Sequence, residues 1–358
     1  MIERRHTRQV AVGSVKIGGG APIAVQSMTN TDTRDSAATL AQITRLAEAG
    51  CEIVRVAIPH ADALPGFGEI CSASPLPVVA DIHFDHRLAI EATRLGAAKL
   101  RINPGNIGSI DRVDAVIEAA GEAGIPVRIG VNAGSLAAEY EDRDWPLAEK
   151  LFASAVSFCE HIAGRGFEDL VVSAKASSVN ATVDSYRLLA NALPYPLHIG
   201  VTEAGTSLSG TVKSSVGLGI LLAEGIGDTL RVSLTADPAE EVTVGWEILA
   251  ALDIRRRSPE LVSCPTCGRC EVDMVPIAQE VERRLRTMRT PVKVAVMGCA
   301  VNGPGEARDA DVGIASGKGV GLLFRHGQVI RKVPEAEIVE ALMAEVEALD
   351  RELSQGAK

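Results

Sequence analysis

Residues 78–105, VVADIHFDHRLAIEATRLGAAKLRINPG, contain the pattern that decides the fold. An apolar run ends in polar residues at 78–84, an amphipathic stretch follows and closes at Gly96, and a second short run begins at Lys99. A glycine directly after an amphipathic stretch is typical of a helix C-terminus. Two strands connected through a helix in this way are expected to lie parallel in one sheet.

The same strand–helix unit recurs from residue 23 to residue 237. The predicted strands are IAVQSMT (23–29), IVRVAIP (53–59), VVADIHF (78–84), KLRINPG (99–105), VRIGVNAG (127–134), DLVVSAKAS (169–177), LHIGVTEA (197–204) and TLRVSLTAD (229–237). Eight such units predict an α/β protein with a (β/α)₈ TIM-type barrel. A doubly wound open sheet is the alternative, and it is weaker because no G-x-G-x-x-G turn follows the first strand.

The strand–helix rhythm ends within LDIRRRSPELVSCP (252–265). We place the domain boundary there, so that residues 1–257 form the barrel and residues 258–358 form a smaller α/β domain. In the smaller domain we expect a helix at about 277–289, strands at 292–298 and 311–316, a hairpin at 319–333 and a last helix from Pro334.

Composition and charge exclude several classes of protein. The chain has 358 residues and a formal net charge of −10, which argues against a general nucleic-acid surface. No apolar run is long enough to cross a bilayer, and the N-terminus MIERRHTRQVAVG lacks the apolar core of a signal peptide. We therefore expect a cytoplasmic protein without membrane or nucleic-acid partners, whose seven cysteines are reduced.

Polar side chains stand near the carboxyl ends of the predicted barrel strands, where barrel active sites form. They are Arg55, Asp81, His83, Arg101, Asn103, Arg128, Asn132, Ser173, Lys175, Thr202, Glu203, Arg231 and Ser233. Residues two apart share one face of a strand, and charges facing the apolar helix layer would be costly to bury. These side chains are therefore expected to point into the barrel mouth.

This set of strand-end residues is predominantly cationic. Its members Arg55, Arg101, Arg128 and Lys175 carry fixed positive charges that would repel one another in a single cleft. Because arginine suits bidentate contacts with phosphate, the set predicts a small ligand with a multiply charged phosphate group. Asp81 and Glu203 are the acids of the set, and either is a candidate proton donor or base.

Four of the cysteines are arranged as for a metal centre. Cys264, Cys267 and Cys270 are spaced by two residues each, and Cys299 begins the segment CAVNGPGEA. The Asn-Gly-Pro-Gly run at 302–305 is a strong turn signal that would bring Glu306 back toward Cys299. Carboxylate is a replaceable ligand for iron.

The cysteine spacing leaves three interpretations open. They are a Cys₄ zinc site, a [4Fe–4S] cluster held by four thiolates, and a cluster held by three thiolates and one labile ligand. Zinc sites usually pair one C-x-x-C with another, and Cys299 has no such companion, so the spacing favours iron–sulfur.

The chain resembles the family of bacterial 4-hydroxy-3-methylbut-2-enyl diphosphate synthases of the non-mevalonate isoprenoid pathway. The matching stretches lie in order between residues 22 and 316 and include PIAVQSMTNTDT, VADIHFD, KLRINPGNIG, VRIGVNAGSL, GTVKSSVGLG, LVSCPTCGR and VMGCAVNGPGEARDADVGIA. The resemblance implies a barrel joined to an iron–sulfur reductase-like domain. It also implies a two-electron reductive ring opening of 2-C-methyl-D-erythritol 2,4-cyclodiphosphate, with loss of water.

The resemblance further implies roles for individual residues. A [4Fe–4S] cluster would be held by Cys264, Cys267, Cys299 and Glu306, with Glu306 as the exchangeable ligand that also serves catalysis. Glu203 would be the proton donor near the leaving hydroxyl. The substrate would be bound by Arg55, Asp81, His83, Arg101, Asn103, Arg128, Asn132, Lys175 and Ser233.

The family pattern also implies partners. Flavodoxin or ferredoxin would supply the electrons, and a head-to-tail homodimer would pair the barrel of one subunit with the cluster domain of the other. Cys270 departs from the family pattern and is expected to be a bystander. Two other functions remain as alternatives: a phosphate-binding barrel with a zinc-stabilised interaction domain, and a pterin-type transferase barrel suggested by the fold alone.

Overall fold

The structure is a computed structural model that describes residues 2–136, 138–299, 305 and 308–356. The chain divides into two compact units, Met1–Arg255 and Arg256–Lys358. Of the helices in the described part of the chain, none combines the length and the apolar character needed to cross a bilayer.

The first unit is a barrel of parallel strands. The barrel strands are β3 (Ala24–Met28), β4 (Ile53–Ala57), β5 (Val78–Ile82), β6 (Lys99–Ile102), β7 (Val127–Asn132), β8 (Leu170–Lys175), β9 (His198–Ile199) and β10 (Thr229–Leu230). Strands β3 to β8 pair in chain order, β10 lies between β3 and β9, and a bridge from Val172 to Leu197 closes the ring between β8 and β9. The predicted barrel is confirmed. Strands β9 and β10 are shorter than predicted, so the polar residues after them lie in loops.

Helices surround this barrel and connect its strands. They are α1 (Ser36–Ala49), α2 (Leu64–Ala73), α3 (His86–Arg94), α4 (Pro104–Ile107), α5 (Ile110–Ala123), α6 (Ala138–Glu141), α7 (Leu147–Gly164), α8 (Val179–Ala192), α9 (Ser207–Ala223) and α10 (Pro238–Ala251). Alternation along the strands divides the side chains between two environments. On β6, for example, Leu100 and Ile102 join the apolar core under the helices, which leaves Lys99 and Arg101 on the inner face.

A hairpin closes the amino-terminal end of the barrel. Its strands β1 (Val10–Val12) and β2 (Val15–Ile17) are antiparallel. Apolar residues of the hairpin pack with the first inward residues of four barrel strands. This cluster contains Val10, Val12, Ile17, Ala24, Ile53, Val79 and Val171. Because this end is filled by apolar side chains, the polar interior lies toward the carboxyl ends of the strands.

In the described residues of the second unit, a five-stranded sheet is accompanied by two α-helices. The strands are β11 (Glu260–Ser263), β12 (Lys293–Met297), β13 (Val312–Gly317), β14 (Val320–Arg325) and β15 (Gln328–Pro334), and the helices are α11 (Met274–Leu285) and α12 (Ile338–Gly356). Strands β11, β12 and β13 are parallel, and β14 and β15 continue the sheet antiparallel. Strand β11 was not predicted, because it is a short edge strand without a buried residue.

Candidate active site

Cations line the inner face of the barrel. Lys99, Arg101, Arg128 and Lys175 are buried, and Arg55 and Arg231 are half-buried. Their strands bring them together because each occupies an inward position of the alternating pattern. Asp81 and Glu241 are the carboxylates that pair with members of this group, which we call the cation ring. Six basic side chains, four of them arginines, face these two carboxylates, so the ring has an excess of positive charge.

Asp81 is the anionic centre of the ring. One of its carboxylate oxygens lies 3.2 Å from Arg101 Nη1, and the other lies 3.6 Å from Arg55 Nε and 3.8 Å from His83 Nε2. Burial alone would raise the pKa of Asp81, but Arg55, Arg101, His83 and Arg128 together lower it to about 2. Asp81 is therefore ionised at neutral pH and holds the guanidinium groups in place rather than donating a proton.

Arg231 is neutralised locally by Glu241 of α10. The Glu241 carboxylate accepts hydrogen bonds from Arg231 Nε and Nη2, each at 3.2 Å. It also accepts from Ser27 Oγ at 3.3 Å and from the Leu234 amide at 3.0 Å. This carboxylate compensates the positive charge of Arg231. Arg128 differs, because its Nε and Nη1 have no hydrogen-bond partner among the described residues.

A buried polar chain orients Lys175. Its Nζ lies 3.2 Å from His198 Nε2, and His198 Nδ1 lies 2.6 Å from Thr229 Oγ1. Burial, followed by Lys175 and Arg128, lowers the pKa of His198 well below its usual value, so the imidazole is neutral. With Lys175 protonated, Nε2 accepts from the ammonium and Nδ1–H donates to Thr229.

Two glycines make room for cations of the ring. A Cβ on Gly130 would lie 2.6 Å from Arg101 Nε. A Cβ on Gly200, just after β9, would lie 2.8 Å from Lys175 Nζ and 2.6 Å from the Arg231 carbonyl oxygen. The side chains of Arg101 and Lys175 thus occupy space that the Cβ of any other residue at positions 130 and 200 would take.

Two predicted asparagines support the ring and its loops. Asn103 Nδ2 donates to Ser135 Oγ at 2.6 Å, and its Oδ1 accepts from the Gly105 amide at 3.2 Å, so its polar atoms join the segments that follow β7 and β6. Asn132 Oδ1 accepts from Arg101 Nη2 at 3.0 Å in the amide orientation that satisfies both of its polar atoms. Asn132 therefore helps to orient Arg101.

Glu203 and Ser233 lie in the loops that follow β9 and β10. Glu203 is exposed and has a φ of 52°, in the left-handed region, whereas Ser233 is half-buried. A left-handed conformation costs a non-glycine residue about 1–3 kcal/mol and persists where the surrounding structure imposes it. The loop thus holds Glu203 at the carboxyl end of the barrel.

Sequence reasoning missed two buried residues of the interior. Lys99 precedes Arg101 by two residues, so the alternation that selected Arg101 also selects Lys99. His198 stands on the inner face of β9, and its signal was a polar residue inside an otherwise apolar strand. Both are completely buried.

The cysteines of the second unit lie near the ends of neighbouring strands. Cys264 directly follows β11, and Cys299 comes two residues after β12, which is parallel to β11. Cys264 Sγ accepts a hydrogen bond from the Gly298 amide at 3.1 Å. Reduced thiols at the same edge of one sheet are a donor set suited to a soft metal centre.

Cys270 and Cys264 both lie beside Gly298. A Cβ on Gly298 would lie 2.4 Å from Cys270 Sγ and 3.3 Å from Cys264 Sγ, so both sulfur atoms face Gly298. Cys267 is exposed. Within the described ranges, no three His, Cys, Asp or Glu side chains are arranged to hold a metal ion. Glu306 lies outside the described residues.

Solved structures with a related fold include two dihydropteroate synthases. The chain superposes with a TM-score of 0.50 on dihydropteroate synthase from Yersinia pestis, with 14% identity over 68% of this chain and 97% of that one. The corresponding enzyme from Xanthomonas albilineans gives a TM-score of 0.51, with 14% identity and the same two shares of coverage. At this identity the likeness shows the fold alone, so it gives no support to the pterin-type alternative.

Relatives of known name match nearly the whole chain. Three are named 4-hydroxy-3-methylbut-2-en-1-yl diphosphate synthase (flavodoxin). The protein from Geobacter sulfurreducens is 57% identical over 96% of this chain and 98% of its own. The protein from Clostridium acetobutylicum is 54% identical over 97% and 99%, and that from Anoxybacillus flavithermus is 51% identical over 100% and 99%.

Two family models divide the chain between them. The GcpE TIM-barrel domain matches residues 7–246, and the GcpE protein C-terminal domain matches residues 260–348. The first match covers the barrel and its cation ring, and the second covers the sheet with the cysteines. The chain therefore belongs to the GcpE family.

Proposed function

We propose that this chain opens the ring of 2-C-methyl-D-erythritol 2,4-cyclodiphosphate by two-electron reduction, with loss of water, to give 4-hydroxy-3-methylbut-2-enyl diphosphate. Full-length relatives at 51–57% identity bear the name of that synthase. The chain is an oxidoreductase of isoprenoid biosynthesis. The observation that carries the choice of ligand is the cation ring, because its excess positive charge suits a diphosphate.

The substrate would be bound by the inner residues of the barrel. Arg55, Arg101, Arg128, Lys175 and His83 would contact the phosphate oxygens, with Asp81 fixing the two guanidinium groups beside it. Arginine forks match the oxygens of phosphate bidentately, which favours these residues over a looser set of lysines. Asn103, Asn132 and Ser233 would complete the orientation of the substrate.

Glu203 is our proposed proton donor. Of the two acids that the sequence left open, Asp81 is ionised by the guanidinium groups beside it and is a poor proton source at neutral pH. Glu203 lies at the carboxyl end of the barrel, in a conformation that its loop imposes. A carboxyl group there can protonate a leaving hydroxyl, provided that it lies within hydrogen-bond reach of that oxygen.

The second unit would hold a [4Fe–4S] cluster through Cys264, Cys267, Cys299 and Glu306. The cysteines near the ends of β11 and β12 support this ligand set, since thiolates are the usual ligands of iron–sulfur clusters. When bound, the cluster supplies the electrons of the reduction. Accordingly, residues 1–257 would form the substrate-binding domain and residues 258–358 the cluster domain.

Flavodoxin is the proposed electron donor, as the relatives' names indicate for those proteins, with ferredoxin as the alternative. We further propose a head-to-tail homodimer in the cytoplasm. Light scattering during size-exclusion chromatography measures the mass, and a monomer at working concentration would contradict the dimer.

Anaerobic turnover tests the function most directly. Protein purified without oxygen is expected to convert the cyclic diphosphate to 4-hydroxy-3-methylbut-2-enyl diphosphate when a chemical reductant is added. Iron and acid-labile sulfide are measured on the same sample. A colourless protein that contains zinc and no iron would instead support the phosphate-binding barrel with a zinc-stabilised domain.

Paired cysteine variants test the ligand set. Cys267→Ser is expected to lose most of the iron and the visible absorption after anaerobic reconstitution, because a serine hydroxyl is a poor ligand for this centre. Cys270→Ser, the matched control, is expected to retain both. The reverse outcome would make Cys270 a ligand and remove Cys267 from the set.

Glu306→Ala separates ligation from chemistry. We expect this variant to keep three thiolate ligands and therefore most of its iron, and to lose reductive turnover. The measurements are iron per chain and product formed per minute. Full turnover by Glu306→Ala would exclude the carboxylate as the exchangeable ligand.

A further inference from the structure

Lys99 is a buried lysine without a hydrogen-bond partner in the described part of the chain. Lys99 is 0% exposed, and no described atom accepts a hydrogen bond from its Nζ. Lys99 stands one inward position below Arg101 on β6, about 6.6 Å along the strand. Lys99 is therefore the member of the cation ring that lies nearest the amino-terminal end of β6.

Two other buried side chains on the inner face of the barrel are also unsatisfied. Among the described residues, neither amide atom of Gln26 on β3 has a hydrogen-bond partner, and neither do Nε and Nη1 of Arg128 on β7. Gln26 and Arg128 are each only 1% exposed. Buried polar groups normally have hydrogen-bond partners, so these three side chains, which lack them in the described part of the chain, point to a missing anionic or polar ligand.

The protein supplies little negative charge to this part of the barrel interior. The charged and titratable groups that face the barrel interior are Arg55 of β4, Asp81 of β5, Arg101 of β6, Arg128 of β7, Lys175 of β8, His198 of β9 and Arg231 just after β10, with Glu241 of α10 beside Arg231. The two acids among them are already paired, Asp81 with Arg101 and Arg55 and Glu241 with Arg231. Burial, followed by Arg128 and Arg55, lowers the pKa of Lys99 well below its usual value.

Stability alone does not explain a lysine at this position. Burying an ammonium group costs several kcal/mol of folding free energy unless an anion lies beside it. Loss of the proton reduces this cost, but a neutral amine without a hydrogen bond is still unfavourable in the core. A methionine of similar length would fill the same space without a polar atom. Lys99 is unfavourable for folding and lies on the inner face of the barrel, so we attribute its presence to function.

We propose that Lys99 is a further anion-binding residue, which forms with Gln26 and Arg128 an inner subsite that takes a phosphate oxygen of a diphosphate ligand. The identity of that ligand rests on the proposed function, whereas the chemistry of the subsite applies to any diphosphate. Because a bound anion stabilises the ammonium form, the binding of a diphosphate is coupled to the uptake of a proton by Lys99.

Calorimetry measures this coupling. Cluster-loaded protein is titrated anaerobically with inorganic pyrophosphate, and separately with the cyclic diphosphate, in two buffers with different enthalpies of ionisation. The difference in observed heat gives the number of protons taken up. Wild-type protein is expected to take up protons, and Lys99→Met to take up fewer and to bind each ligand about tenfold more weakly or worse.

Thermal stability separates a binding role from a structural one. Lys99→Met is expected to raise the Tm of the ligand-free protein, because it removes an uncompensated amine from the core. Lys99→Gln serves as a polar second variant in case the methionine packs poorly, with the same loss of proton uptake. Lys213→Met, on the exposed surface of α9, is the matched control and should leave uptake, affinity and Tm unchanged.

The outcomes distinguish this inference from the proposed function. Unchanged proton uptake and affinity in both Lys99 variants, or a lowered Tm with unchanged affinity, would overturn the subsite. Loss of pyrophosphate binding in the Lys99 variants supports it even where the wild-type protein fails to turn over the cyclic diphosphate. That failure would count against the proposed reaction alone.

Discussion

Replacing Asp81 by asparagine is expected to destabilise the barrel by about 3–5 kcal/mol, which is the usual cost of removing one partner from a buried ion pair. The carboxylate is 1% exposed and lies 3.2 Å from Arg101 and 3.6 Å from Arg55. An amide of the same shape keeps the packing and removes the charge. Two guanidinium groups would then remain buried without their anion, with Arg128 close by.

The control for Asp81→Asn is Asp32→Asn. The pKa of Asp32 is also lowered to about 2, through its hydrogen bonds with Arg34, but both side chains are exposed. Solvent screens such a pair, so Asp32→Asn should hardly change the free energy of unfolding. Urea unfolding followed by circular dichroism measures both variants. Equal effects at the two sites would show that burial of Asp81 does not determine its contribution.

The pH dependence of stability follows from the same carboxylate. Folding lowers the pKa of Asp81 from its ordinary value to about 2, so its contribution is complete above the unfolded-state pKa of about 3.9. It is lost as the pH falls from there through the folded-state value. Wild-type stability should therefore drop between about pH 4 and pH 2 by more than that of Asp81→Asn. Parallel curves for the two proteins in this range would contradict the assignment.

Local pattern was sufficient to predict the barrel and much of its cation ring. The alternation of apolar runs and amphipathic stretches predicted the eight strands, because this pattern lies within each strand–helix unit and does not depend on distant contacts. The same alternation placed Arg101 and Lys175 on the inner face, since side chains two apart share a face whatever the rest of the fold does. Lys99 satisfied that rule too and was missed only because it lies away from the strand end.

Other features of the site depend on contacts that no local pattern contains. Glu241 neutralises Arg231 from a helix ten residues further along the chain, and nothing in either segment alone predicts that pairing. The chain from Lys175 to Thr229 through His198 joins three different strands. Strand β11 has four residues and none of them is buried, so its sequence shows no clear strand pattern, yet it positions Cys264 beside Gly298.

Gly200 illustrates how a residue without a side chain contributes to the site. Gly200→Ala is expected to lower kcat/KM by about a hundredfold, because a misplacement of about 1 Å in a binding group can have that effect. The added Cβ would lie 2.8 Å from Lys175 Nζ and 2.6 Å from the Arg231 carbonyl oxygen. The carbonyl belongs to the backbone and moves little, so Lys175 would shift and lose its contact with His198.

Gly219→Ala is the matched control for Gly200→Ala. Gly219 lies in α9, and a Cβ there would meet nothing within 4 Å. Alanine in the interior of a helix is more favourable than glycine by up to about 1 kcal/mol. We therefore expect Gly219→Ala to keep full turnover and a Tm equal to or above that of the wild type. The measurements are steady-state turnover, pyrophosphate affinity and Tm.

A double-mutant cycle shows whether Gly200 acts through Lys175. Lys175→Met removes the ammonium that the alanine would displace. If the displacement of Lys175 accounts for the loss, Gly200→Ala should cost little further activity in the Lys175→Met background, because residues that share one interaction are not additive. If the fold-losses in kcat/KM of the two single variants multiply in the double variant, Gly200→Ala acts through the Arg231 backbone, independently of Lys175.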